Sequence, residues 1–354
     1  MGLRVRRTFG AATIVVFLSV GAFAQSQNTI LPGPEPHDVP QEWKRWIGEY
    51  GSKEATFTVG ESEGRMFIID KSSHKRWELP EPPIEKSTRV EWTSTTRVVV
   101  TFHRQQLGEQ VLITNDRGWS KNGYGVDENN VARVKPVRAI AELRTEALAA
   151  APPQEIGNFR KPDLVELAPL DPGIHLDIRY ATSNDFLGTP VYSQARAFLQ
   201  RPAAEALLRV QHQVKPLGYG LLIHDAYRPW YVTKIFWEAT PPEGKIFVAN
   251  PTQGSRHNRG CAVDLTLYDL ATGKPIEMPG TYDEMSPRSF PDYAGGTSLQ
   301  RWHRDLLRRA MESEGFTVYE AEWWHFDYKD WKAYPILNVS FEKLGLDPGT
   351  GAVQ

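Results

Sequence analysis

The chain is nearly devoid of cysteine: Cys261 is the only one in 354 residues. An intramolecular disulfide framework is thereby excluded, and so is a cysteine near the N-terminus to carry a lipid anchor. Between Gly260 and Ala262, ahead of an apolar run, Cys261 reads as a small buried filler and not as a nucleophile. Basic excess is missing too, with 41 Lys and Arg against 43 Asp and Glu and a formal charge of −2, so nothing points to a nucleic-acid partner. Beyond the first residues no stretch approaches twenty apolar positions, which excludes a membrane span. A Gly-rich phosphate turn is also absent.

What is present begins with a secretory pattern over residues 1–24. Arg4, Arg6 and Arg7 precede an apolar run from Ala11 to Val20, and Ala22-Phe23-Ala24 is a small-x-small cleavage pattern. Arg6-Arg7 is read as the positive charge such a segment requires, leaving Sec or twin-arginine export open. Its removal takes three arginines and no acid, moving the formal charge from −2 to −5. The expected product is exported or periplasmic, without a stable membrane anchor. Residues 25–40 read as a linker.

Residues 41–137 read as a small all-β domain. Short runs at 55–59, 65–70, 76–79, 89–92, 97–104, 110–114 and 131–135 carry β-branched or aromatic residues, separated by turns such as Glu61-Ser62-Glu63-Gly64. No His, Cys or paired-carboxylate cluster accompanies them, so a binding or spacer role is the default. Residues 138–160 read as a helix and a Pro-containing linker. Over 161–345, strands and helices intersperse without regular alternation, which predicts an α+β domain around a small antiparallel sheet flanked by helices. Its clearest helix is 201–214, with Pro202 in its first turn and Gly218 just past its end.

Two segments carry chemistry. In Ser255-Arg-His257-Asn-Arg-Gly260-Cys-Ala-Val-Asp264, an imidazole on a loop and a carboxylate on the next strand lie seven residues apart. Asp264 inside Ala-Val-Asp-Leu-Thr-Leu is costly in a buried strand unless paired or metal-bound. In Glu322-Trp323-Trp324-His325-Phe326 a second histidine shelters among aromatics. Two histidines and a carboxylate leave one zinc position open, as catalysis requires, and a neighbouring glutamate suits a general base. Residues three apart on an ideal strand face opposite ways, so Glu322 and His325 need a bulge or strong twist to meet. Any histidine alone is more often a surface or satisfied core residue, and His37, His74, His103, His212 and His303 are read that way.

These two segments resemble the zinc motifs of the VanX-type D-alanyl-D-alanine dipeptidases, relatives of the VanY-type D,D-carboxypeptidases and of the hedgehog signalling domain. Three further pieces match in order: Ile178-Arg179-Tyr180-Ala181-Thr182, Asp225-Ala226-Tyr227-Arg228-Pro229 and Thr281-Tyr282-Asp283-Glu284-Met285. The resemblance implies one zinc ion per chain on His257, Asp264 and His325, with Glu322 as the general base and Arg228 stabilising the oxyanion. An ion pair of Arg228 with Asp225 is the plainer reading, and the two coexist. Ser255 would bind the substrate carboxylate end, while Asp283 and Tyr180 would receive its ammonium. The expected partner is a D,D-dipeptide such as D-Ala-D-Ala, with peptidoglycan fragments as a second ligand class. Two alternatives stand beside this reading: a D,D-carboxypeptidase trimming longer wall peptides, and a non-catalytic wall-binding protein with a relic site. Dipeptide preference, in vivo metal, oligomeric state and the role of the β domain stay open at this level.

Overall fold

A computed structural model describes residues 30–44, 47–50, 57–70, 74–78, 88–94, 97–103, 110–116 and 125–344. The secretory pattern lies outside the described residues. No described helix is long and apolar enough to cross a membrane.

The N-terminal strands form two antiparallel sheets. β1 (Gly48–Tyr50), β2 (Phe57–Ser62), β3 (Arg65–Asp70) and β4 (Arg76–Glu78) pair in sequence order. β5 (Thr88–Ser94), β6 (Arg97–His103) and β7 (Gln110–Asp116) make a second meander. The expected strand over residues 131–135 does not form. Asp127 instead closes a tight loop, accepting from the amides of Asn129 and Val131, and only a bridge between Val126 and Ala132 remains. Arg133 beyond it donates to the carbonyls of Ser183 and Asp185, so this stretch is held by the chain below and not by a sheet neighbour.

After helix α1 (Ile140–Ala149), short strands β8 (Leu164–Glu166) and β10 (Phe198–Gln200) pair with each other. The main sheet runs β13 (Phe316–Tyr319), β14 (Glu322–Tyr328), β12 (Ala262–Asp269), β11 (Tyr219–Asp225), β9 (Ile174–Leu176). It is antiparallel except at one edge, where β9 joins β11 in parallel. That corrects the wholly antiparallel expectation: the chain returns from β9 through β10 and a long helix before entering β11, a crossover long enough for parallel pairing.

α2 (Arg201–Val214) buries Ala203, Leu207, Val210 and Val214 at helical spacing and gives way at Gly218, whose φ of +90° suits glycine. α3 (Trp230–Ala239) follows β11. α4 (Ser298–Ser313) starts from a capping box, Thr297 with Gln300. The Glu61 carboxylate from β2 reaches that same helix start, accepting from the Ser298 amide at 2.7 Å, and Arg301 donates to the Glu61 carbonyl at 2.6 Å. An anionic side chain at a helix N-terminus is favourable there, and it anchors the first sheet to the second region.

On β11 and β12, Leu221 pairs with Leu267 and Ile223 with Leu265, all wholly buried on one face. Leu222, Thr266 and Asp264 alternate to the other face. A bulge after Ile223 adds one residue and sets Asp225, not His224, opposite Asp264. The site is built there.

Candidate metal centre and active site

Asp264 on β12 and His325 on β14 are directly opposite in the antiparallel ladder, so their side chains share a face. His257 comes from a short 3-10 turn just before β12, closed by Gly260 at φ +67°. A Cβ on Gly260 would lie 2.5 Å from Leu164 Cδ2, so both the left-handed backbone and the packing demand glycine. The three side chains converge. His257 Nε2 lies 3.1 Å from His325 Nδ1 and 3.2 Å from Asp264 Oδ1, and His325 Nδ1 lies 3.0 Å from the same oxygen.

Hydrogen placement shows what this triangle can hold. His257 Nδ1 faces the Ala226 carbonyl at 2.6 Å and His325 Nε2 faces Asp327 Oδ1 at 2.9 Å. Each ring directs an N–H outward to these acceptors, an assignment made from the partners. The inward nitrogens then both face the buried Asp264 Oδ1. Three ligand atoms this close to one point can hold a metal ion, and without one a proton on His325 bridges them. Ligands about 2.0–2.1 Å from a tetrahedral zinc stand about 3.3–3.4 Å apart, close to the spacing seen. All three residues are buried. Burial opposes charge on His325, yet Asp327 and Asp264 raise it to about 10, and the same negative field draws a dication. The donor set fits zinc.

Glu322 stands at the rim of the triangle, with Oε2 3.7 Å from His325 Nδ1. The β13–β14 register breaks here: Val318 opposes Phe326 but Tyr319 opposes Glu322. That irregularity supplies the bend the Glu322–His325 spacing demanded. Burial pushes the Glu322 carboxyl up to about 8 against the pull of His325, a range suited to proton transfer near neutrality.

Arg228 is buried beside them. Its Nε and Nη2 donate to Asp225 Oδ2 at 2.9 and 2.8 Å, Nη2 lies 3.6 Å from Asp264 Oδ2, and its guanidinium sits 4.8 Å above the Phe236 ring. Both plain and functional expectations for Arg228 are thus compatible with its position. Ser255 Oγ accepts from the His257 amide at 3.2 Å. Tyr180 donates to Asp283 Oδ1 at 2.9 Å, leaving Asp283 Oδ2 buried without a partner. Asp283 adopts φ +61°, a left-handed conformation unusual outside glycine and Asn/Asp. Burial, and then the Asp264 charge, push its carboxyl well above the usual range. Glu322, Arg228, Ser255, Tyr180 and Asp283, with the triangle, all line one cavity of about 450 Å³.

Asp327 and Tyr282 escaped the sequence reading. Asp327 fixes the His325 ring, and the signal was available: two residues on in a strand shares a face. Tyr282 donates to Asp264 Oδ2 at 3.2 Å; an aromatic in a loop carried no such signal. Cys261 is buried and its thiol pushed up to about 12 by burial, inert filler as expected. His303 is buried against Tyr219 at 3.1 Å, away from the triangle.

Two imidazoles and a carboxylate closing on one point, with a free glutamate at the edge, define a metallopeptidase-type hydrolase site. The family profile described as D-ala-D-ala dipeptidase matches residues 160–343. The chain belongs to that family, one of zinc metallopeptidases. It is similar to the D-alanyl-D-alanine dipeptidase of Escherichia coli (strain K12), 35% identical over 188 residues, 53% of this chain and 95% of that one. The enzyme of the same name from Enterococcus faecalis (strain ATCC 700802 / V583) is 36% identical over 190 residues, 48% of this chain and 92% of the relative. That of Streptomyces coelicolor is 36% identical over 176 residues, 45% and 87% respectively.

Proposed function

We propose that the protein is an exported zinc dipeptidase that hydrolyses D-Ala-D-Ala or a related D,D-dipeptide. The observation that carries this is the triangle of His257, Asp264 and His325, three buried residues whose ligand atoms close on one point. Zinc held there would supply a Lewis acid that polarises the scissile carbonyl and lowers the pKa of water. Glu322 takes the proton of the attacking water and returns it to the departing amine. Arg228, held flat by Asp225, offers its guanidinium to the oxygen that gains charge. Asp327 and the Ala226 carbonyl keep the two rings turned so that the inward nitrogens point at the metal position. Ser255 orients the carboxylate end of the substrate.

Tyr180 and Asp283 select the free amino end. The unpartnered Asp283 oxygen is satisfied by an ammonium and left unmatched by an internal peptide, which disfavours longer chains. Export is inferred from the Arg-led apolar pattern over residues 1–24, and an envelope location favours recycling or scavenging of wall dipeptides. The β region is then an accessory domain preceding the peptidase domain. Metal analysis followed by a panel containing D-Ala-D-Ala and tri- and pentapeptides ending in D-Ala-D-Ala tests the reading. Turnover of the dipeptide with one zinc per chain is expected; turnover of the longer peptides alone would make it a carboxypeptidase, and none at all a binding protein.

A further inference from the structure

A second cavity of about 440 Å³ opens on the sheet, walled on one side by Lys44, Ile47 and Gly48 of the N-terminal region. That wall lies outside the family match at 160–343. Where 188 aligned residues already span 95% of the Escherichia coli relative, that protein has no room for it.

The chain sorts neighbouring residues between the two cavities. Arg179 lines the cleft and Tyr180 the active site; Tyr282 and Asp283 divide likewise, as do Trp323 and Trp324. Tyr282 is the partition. Its ring stacks on His224 at 4.5 Å, and its hydroxyl donates to Asp264.

The cleft gathers hydrogen-bond donors that nothing satisfies. Arg179 spends Nε on Asp177 at 3.0 Å, and its two terminal nitrogens have no hydrogen-bond partner among the described residues. Its guanidinium lies 5.7 Å above the Tyr282 ring. Trp323 Nε1 and Thr266 Oγ1, in residues 3% and 4% exposed, are buried without partners. Such groups are costly until an acceptor arrives. The other cations in the wall are already matched, Arg288 with Glu284 and Lys44 with Glu277 and Asp38. Arg179 therefore presents the free fork, and a planar fork suits a carboxylate bidentately.

We propose that this cleft is a second binding site, separate from the active site, for a carboxylate-bearing molecule of amino-acid to dipeptide size. The fork of Arg179 takes the carboxylate, with the Trp323 N–H and the Thr266 hydroxyl completing the cradle. Because the partition is Tyr282, an occupant touches the far side of a residue that holds Asp264.

Calorimetric titration of the zinc-loaded full chain with D-alanine, acetate and inorganic phosphate tests this independently of turnover. Native protein is expected to bind D-alanine in two classes of site, with acetate filling one of them. Arg179→Gln is expected to weaken that class by at least about tenfold while leaving the other. Arg179→Lys, which keeps the charge near Asp177 but not the fork, guards against a folding defect and is expected to weaken the same class with an unchanged melting midpoint. A single class in native protein, unchanged binding in Arg179→Lys, or phosphate bound in preference to both carboxylates would overturn the proposal. None of these outcomes depends on whether the enzyme cleaves D-Ala-D-Ala, so failure here leaves the dipeptidase reading intact.

Discussion

The two cavities on the sheet are similar in volume and differ in which buried groups lack partners. The first, around Asp264 and His325, brings two imidazoles and buried carboxylates to one point; the second, around Arg179 and Trp323, holds N–H and O–H groups without partners. Both draw on the same short segments, one residue apart. On β14 the alternation of a strand parts Trp323 from Trp324, while Arg179 and Tyr180 part in a 3-10 turn and Tyr282 and Asp283 in a loop turn. On the readings proposed above, the first cavity takes a cation and the second an anion.

The comparison can be broken most decisively at Glu322. If the first cavity does acid–base chemistry around a metal held by other residues, Glu322→Gln should lower kcat by about 10²–10⁴-fold while metal content, read by atomic emission, stays at the native level. Loss of the metal would show that Glu322 is a ligand and that the triangle is miscounted. Asp327 comes next. Asp327→Asn should raise the zinc dissociation constant by about 10–100-fold in a chelator competition, since His325 exchanges a charged acceptor for a neutral amide that fixes its tautomer less firmly; Arg179→Gln should leave that constant unchanged.

Acid can imitate damage to the first cavity by loosening the fold, and His303 is the group to watch. Burial lowers its folded pKa from 6.5 to about 4. In the window between, the unfolded chain binds more protons, so the stability associated with neutral His303 is complete above about 6.5 and is lost as pH falls through about 4. The loss approaches about 2–3 kcal/mol. Melting midpoints of His303→Gln should fall less steeply over that window than those of the native protein. The smallest effect is expected at the partition. Tyr282→Phe removes one donor from Asp264 and should weaken zinc about fivefold, near 1 kcal/mol, with the melting midpoint little changed. A larger effect there would mean the two cavities are one coupled unit.

Much of this was legible in residues. The α2 helix stands where its Pro202 start and Gly218 stop put it, at Arg201–Val214, because helix ends are written in local backbone chemistry. The candidate ligands were legible through cost: a carboxylate in the middle of a buried strand must have a partner. The expected strand at 131–135 failed because strand propensity is realised only with a neighbour to pair with, and Asp127 offered that stretch a loop first. Asp327, Tyr282 and the Arg179 cleft were not read, since each matters only through what stands opposite it.

By itself, then, the sequence determined which residues are candidates to bind a cation and move a proton, and where the α2 helix begins and ends. Those depend on short stretches of chain. The tertiary structure decided that Asp264 faces His325, that one extra residue after Ile223 turns Asp225 toward Arg228, and that Glu322 bends to reach the triangle. Register and bulges depend on pairing across the sheet, between segments as far apart as residues 225, 264 and 325, and no local pattern encodes them.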